Sequence, residues 1–184
     1  TDPAELVSRV VEDARARSEG SGIAIHWEAP EALPTVRADV DRIVQVLTNL
    51  IDNAIKFTPA GGRVDVDVAP VDGGFVRFDV RDTGIGIAPE HQAVVFDRFK
   101  QIGNVMTDKP KGTGLGLAIS KEIIEYLGGC IGVDSQVGRG ADFWFTLPVG
   151  VATESGVSTD GDRVLSNDPL AATVLVVDDD ENAR

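Results

Sequence analysis

The sequence predicts an α/β protein: a two-layer sandwich in which a mixed, mostly antiparallel sheet packs against helices. Three stretches, "DPAELVSRVVEDARARSEG", "DVDRIVQVLTNLIDNAIKF" and "GLGLAISKEIIEYLGG", repeat apolar residues at helical spacing. Shorter stretches, "GIAIHWE", "RVDVDVA" and "FVRFDVRD", alternate apolar and polar residues as half-buried strands do, and two more strands follow. The two kinds are interspersed without strict alternation.

In the first helix Asp2 stands as N-cap, Pro3 at the first helical position and Glu5 where a capping box places it. Leu6, Val7, Val10, Val11 and Ala14 mark its apolar face. "GIAIHWE" follows as a strand. From Asp39 to Phe57, Ile43, Val46, Leu47, Leu50, Ile51, Ala54 and Ile55 form a wide stripe, and Thr58-Pro59 ends the helix. "RVDVDVA" and "FVRFDVRD", joined through "VDGG", read as a hairpin. Gly128-Gly129 closes the last helix. "IGVDSQ" and "DFWFTLPV", linked by "VGRG", complete the sheet. Cys130, Trp27 and Trp144 read as core or half-buried residues of strands. The run with Asp65 and Asp67 reads as the solvated face of one. The predicted domain is 1–149. Residues 150–172 have the small, polar composition of a linker, and 173–184 begin a new apolar strand running into acids.

With 184 residues, 42% of them hydrophobic and 26% charged, the chain has the composition of a soluble globular protein. A net charge of −13 argues against nucleic acid as a partner, since that requires a basic face. An anionic ligand then has to be held by local devices: backbone amides, helix ends, a few cations or a metal ion. One cysteine precludes an internal disulfide and suits a reducing compartment. No apolar run reaches the length of a membrane span, so no membrane contact is expected from these residues.

Three motifs carry chemistry. In "NLIDNAIKFTP", Asn49, Asn53 and Lys56 are spaced i, i+4, i+7 on one helix face, away from the core stripe. Amide oxygens beside a cation suit a magnesium–phosphate group, and a plain solvated face is the alternative. In "DVRDTGIGI" a strand ends at Asp82, whose carboxylate can accept from an exocyclic amine such as that of adenine. Gly84 and Gly86 permit a close backbone approach, and a tight turn is the alternative. In "KGTGLGLAIS", Gly112, Gly114 and Gly116 precede or open a helix whose free amides and dipole make an anion site. This is not a P-loop, since G-x-x-x-x-G-K-[ST] is absent, nor a dinucleotide fingerprint, since position 117 is leucine where G-x-G-x-x-G needs glycine. Between the glycine clusters, "FDRFKQIGNVMTDKPKG" reads as a lid, with Phe96 and Phe99 as anchors and Arg98, Lys100, Lys109 and Lys111 as cations.

In this order the motifs resemble those of the catalytic, ATP-binding domain of bacterial histidine kinases, a Bergerat-type nucleotide fold. "NLIDNAIKFT" is similar to the N box, "DTGIGI" to the first glycine box, "FDRF" to the F box and "GTGLGLAI" to the second glycine box. The resemblance covers residues 1–149 and implies ATP and Mg²⁺ as ligands. It implies that Asn53 coordinates Mg²⁺, that Asn49 supports phosphate or metal, and that Lys56 contacts phosphate. Phe57 would flank the adenine and Asp82 would recognise its amino group, in a pocket shaped by Gly84 and Gly86. The amides of Gly112, Thr113, Gly114, Leu115 and Gly116 would hold phosphates, and Arg98 is a candidate for the γ-phosphate. "DKPKGTG" departs from the family's glycine-richer lid entry in carrying Pro110 and two lysines.

The tail "TVLVVDDDENAR" resembles the first strand and acid cluster of a response-regulator receiver domain, which implies that Asp178 and Asp179 help bind Mg²⁺ and that the longer protein is a hybrid kinase. Hydrolases of the fold place a glutamate general base four residues before the metal-binding asparagine. Here that position is Asn49, which takes no proton from water at neutral pH. Transfer to a nucleophile on another domain is therefore expected; hydrolysis, or a non-catalytic regulatory module, is the alternative. Neither His26 nor His91 sits in the family's acceptor pattern, so the acceptor is expected on a separate dimerisation domain. The expected partners are that domain and a receiver or response regulator, with the fragment in the cytoplasm beside ATP, whatever anchors the longer protein.

Overall fold

A computed structural model of the chain describes residues 1–30, 32–100 and 113–150. The expected linker from 151 onward, the receiver-like tail, Gly112, Lys109 and Lys111 lie outside the described residues.

The order of elements is α1 (Pro3–Ser18), β1 (Ala24–Trp27), α2 (Val40–Phe57), β2 (Arg63–Val71), β3 (Phe75–Asp82), α3 (Pro89–Gln92), α4 (Gly116–Tyr126), β4 (Ile131–Gln136) and β5 (Gly140–Pro148). They form a five-stranded sheet in the order β1-β2-β3-β5-β4. β1 runs parallel to β2, and the other three pairings are antiparallel. The sheet packs against helices, as the sequence predicts.

α1 begins where Asp2 accepts from the Ala4 amide at 2.8 Å, and Asp39 caps α2 by accepting from Asp41 and Arg42. Both helices bury the faces their spacing predicts. Ile43, Val46, Leu47, Leu50 and Ile51 are fully buried under the sheet, and each such side chain contributes about 1.5–3 kcal/mol. On the sheet's inner face Phe78 and Phe145 stack with ring centroids 4.6 Å apart. The outer face is polar. There Arg77 pairs with Asp79, Arg81 bridges Asp67 and Asp142, and the Arg77 guanidinium lies 4.6 Å from the Trp144 ring centre. Asp65 and Asp67 are thus salt-bridged strand residues, with Asp65 paired to Arg63.

β2 and β3 are joined by Asp72, Gly73 and Gly74, both glycines having positive φ. Pro70 is accommodated because β1 pairs only with residues 63–66 of β2, which leaves this end of β2 unpaired on that side. α4 starts later than the glycine-rich sequence suggests, at Gly116, and ends where Gly128 takes φ +81°. The one-turn α3 has no periodicity to announce it.

Two expectations fail. Cys130 is exposed just ahead of β4, where its amide donates to Thr146 Oγ1 and its carbonyl accepts from the Thr146 amide. Phe99 is 73% exposed with φ +63°, whereas Phe96 is the anchor, packing edge-on against Phe143. Gly150, at the expected start of the linker, still donates to Thr35 O at 2.7 Å.

Candidate functional site

α2 turns its apolar stripe to the sheet, which leaves Asn49 and Asn53 half-buried and Lys56 exposed on another side. Asn49 Nδ2 donates to Ser120 Oγ on α4 at 2.9 Å. The Asn53 carboxamide hydrogen-bonds to no other described residue. Lys56 Nζ lies 4.8 Å from the ring centre of Phe57, which is 40% exposed at the helix end.

Asp82, at the end of β3, is only 8% exposed. Its Oδ1 accepts from the Gly84 amide at 2.7 Å and from the Ala141 amide at 3.4 Å. Burial raises its pKa above the ordinary 3.8; the two amide donors oppose this, and the nearby Asp142 adds to it. With Oδ1 occupied, Oδ2 is the oxygen left to accept from an incoming donor. The loop after Asp82 is fastened at both ends. Ile85 donates to Phe57 O at the end of α2, and Gly138 donates to Ile85 O. Gln92 Nε2 donates to both Ile87 O and Ser135 O, and Ser135 Oγ accepts from the Ile87 amide.

Gly116 opens α4 with no side-chain cap, so its first amides are free of side-chain partners, unlike those of α1 and α2. Leu115 is the N-cap and Thr113 is exposed. Gly114, at φ +70°, accepts from the Phe99 amide at 2.8 Å. Arg98 is tied to Glu122 on α4, its Nε 3.0 Å from Oε1.

The glycines earn their positions through protein contacts. A Cβ on Gly84 would stand 2.4 Å from Phe57 O, one on Gly86 2.1 Å from Gln136 O, and one on Gly116 2.2 Å from Asn49 Oδ1. The first glycine box thus lies against the end of α2, and the second against its middle. α2 is the common wall, with Asn53 and Lys56 between the two contacts. A groove of about 380 Å³ between α2 and α4 is lined by Gln45, Thr48, Asn49, Asp52, Gly116, Ile119 and Ser120. Asn53, Lys56 and Asp82 are not in its lining. Gln92, Ser120 and Ser135 carry no sequence signal. Their roles come from partners on other elements.

Residues 38–151 match the family described as histidine kinase-, DNA gyrase B- and HSP90-like ATPase. The sensor histidine kinase AruS of Pseudomonas aeruginosa is 41% identical over 170 residues, covering 91% of this chain and 16% of AruS. Full-length ShkA, solved in complex with AMPPNP, is 42% identical with a TM-score of 0.72, over 83% of this chain and 31% of that one. The catalytic domain of histidine kinase ThkA is 30% identical with a TM-score of 0.65, over 79% of this chain and 92% of that domain. ThkA has also been solved with the response regulator protein TrrA; that kinase chain is 29% identical with a TM-score of 0.67, over 82% of this chain and 41% of that one. The chain belongs to this ATPase family, and it carries the ATP-binding catalytic domain of a histidine kinase, with residues 38–151 matching the family. It spans only 14–16% of the first curated relatives it matches.

Proposed function

We propose that this domain binds Mg²⁺-ATP against α2 and presents the γ-phosphate to a histidine on another domain of the longer protein. The observation that carries this reading is the convergence of both glycine boxes on α2, on either side of Asn53 and Lys56. The donor set fits the metal. Among the described residues no three His, Cys, Asp or Glu side chains are grouped as a metal cage. Mg²⁺ usually needs only one or two protein oxygens beside water and phosphates, and the unbonded Asn53 amide is such a donor. The bound metal would neutralise phosphate charge.

The chain's own residues do the rest. Asp82 Oδ2 would accept from the adenine amino group, and the exposed Phe57 ring would cover the base. The free amides from Gly114 to Gly116 would hold phosphate oxygens, with Lys56 as the nearby cation. Catalysis would rest on positioning and charge stabilisation. Asn49 cannot act as a general base, and its amide is engaged by Ser120, which favours transfer over hydrolysis. His26 lies in β1 and His91 in the one-turn α3, so the acceptor is assigned to another segment. A response regulator or receiver domain would take the phosphoryl group next, by analogy with the ThkA–TrrA complex. No described helix is long and apolar enough to cross a membrane.

Calorimetry with ATP and Mg²⁺ should show binding by the wild-type chain and at least about tenfold weaker binding by Asn53→Ala, with an unchanged melting temperature. Labelled ATP should leave no acid-labile phosphate on this chain and should label an added acceptor domain. Self-labelling, or binding indifferent to Asn53→Ala, would overturn the assignment.

A further inference from the structure

The Asn49 carboxamide is wedged against two residues one turn apart on α4. Its Nδ2 donates to Ser120 Oγ at 2.9 Å, and its Oδ1 lies where a side chain on Gly116 would begin. Ser120 is 2% exposed, one of the few buried polar residues described. The amide dipole therefore points its negative end toward the N-terminal turn of α4 and its positive end toward the serine, the favourable sense in that helix's field. Asn49 lies one turn from Asn53 on α2, while Gly116 ends the turn whose amides are assigned above to phosphate. This hydrogen bond is thus a strut between the metal side and the phosphate side of one site.

We propose that Ser120 is a positioning residue for nucleotide binding: through Asn49 it fixes the distance between Asn53 and the Gly114–Gly116 turn. The inference rests on the nucleotide reading above and refines it. Asn49 then acts on the ligand through α4, not by touching metal or phosphate. The adenine end, held by Asp82 and fastened to α2 through Phe57, is independent of the strut.

The test is calorimetric, with two probes: ADP without metal, and a non-hydrolysable ATP analogue with Mg²⁺. Ser120→Ala deletes the acceptor and leaves the Asn49 amide short of a partner. Binding of the Mg²⁺-loaded analogue should weaken about five- to tenfold, the worth of one such hydrogen bond, while ADP binding stays within about twofold of wild type. Ser120→Thr, which keeps the hydroxyl, should restore the difference between the probes. Adding Asn49→Ala to Ser120→Ala should cost nothing more, since both remove the same bond. Equal weakening of both probes would make the bond merely structural and overturn the proposal. So would an unchanged Ser120→Ala, or a further large loss on adding Asn49→Ala, which would show direct contact between Asn49 and the ligand. A wild-type chain that binds neither probe would overturn the nucleotide reading itself, and this inference with it.

Discussion

Asp82, proposed above to accept from the adenine amino group, would serve folding and binding with opposite preferences. Unfolded, its carboxyl titrates near 3.8; folded, burial raises that value. Between the two values the folded state holds a proton that the unfolded state has released. Its contribution to stability is therefore largest in acid and falls as pH rises through the raised value. Nucleotide recognition asks for the reverse, because only the carboxylate is a strong acceptor. Asp82→Asn should unfold at higher urea than wild type at neutral pH, with the advantage closing as pH falls toward about 4. The same variant should bind ATP at least about tenfold more weakly, the worth of a hydrogen bond to a charged group. Parallel losses of stability and binding would show that Asp82 is structural only.

Among the elements, the junction of β3 and β5 depends on a backbone approach that no side chain permits. Gly140 has φ +87°, and a Cβ there would lie 1.8 Å from Asp82 O. Gly138, in the turn just before, has φ +76° with nothing within 4 Å. Gly140→Ala should cost about 2–4 kcal/mol, from left-handed strain and overpacking together. Gly138→Ala should cost about 1–2 kcal/mol, from the strain alone. Urea midpoints read the order directly, and equal losses would contradict the close approach. This scale also shows where local sequence falls short. The apolar stripes of α1 and α2 were legible because one face of each is buried, in α1 against α2 and β1, in α2 against the sheet and its neighbouring helices. The hairpin of β2 and β3 was legible because its turn is local. α3 was not: Gln92 is fixed by carbonyls of Ile87 and Ser135, one of them on β4. Cys130 and Phe99 have the character of buried residues yet lie at turns, where the backbone direction leaves them exposed.

For the whole molecule, closure of the domain depends on its last residues. Arg37 donates to Pro148 O, Val149 to Gly74 O and Gly150 to Thr35 O, while Leu147 is fully buried. A chain ending at Gly150 keeps these contacts. A chain ending at Thr146 loses all of them. It should be less stable by about 3–6 kcal/mol, from three hydrogen bonds and one buried leucine. Thermal melts of the two decide the point, and equal melting temperatures would sink it.

The sequence by itself determined the long helices and the strands, most of the faces they bury, and three motifs as candidates for the chemistry. These follow from periodicity and from residue chemistry within a few positions along the chain. Only the tertiary structure decided that β5 lies between β3 and β4, and that the site's glycines approach protein backbone and side chain. It also decided that Asn49 meets Ser120 across 71 residues of chain. Such neighbours leave no local pattern, because their cost and their reward appear only when distant segments pack.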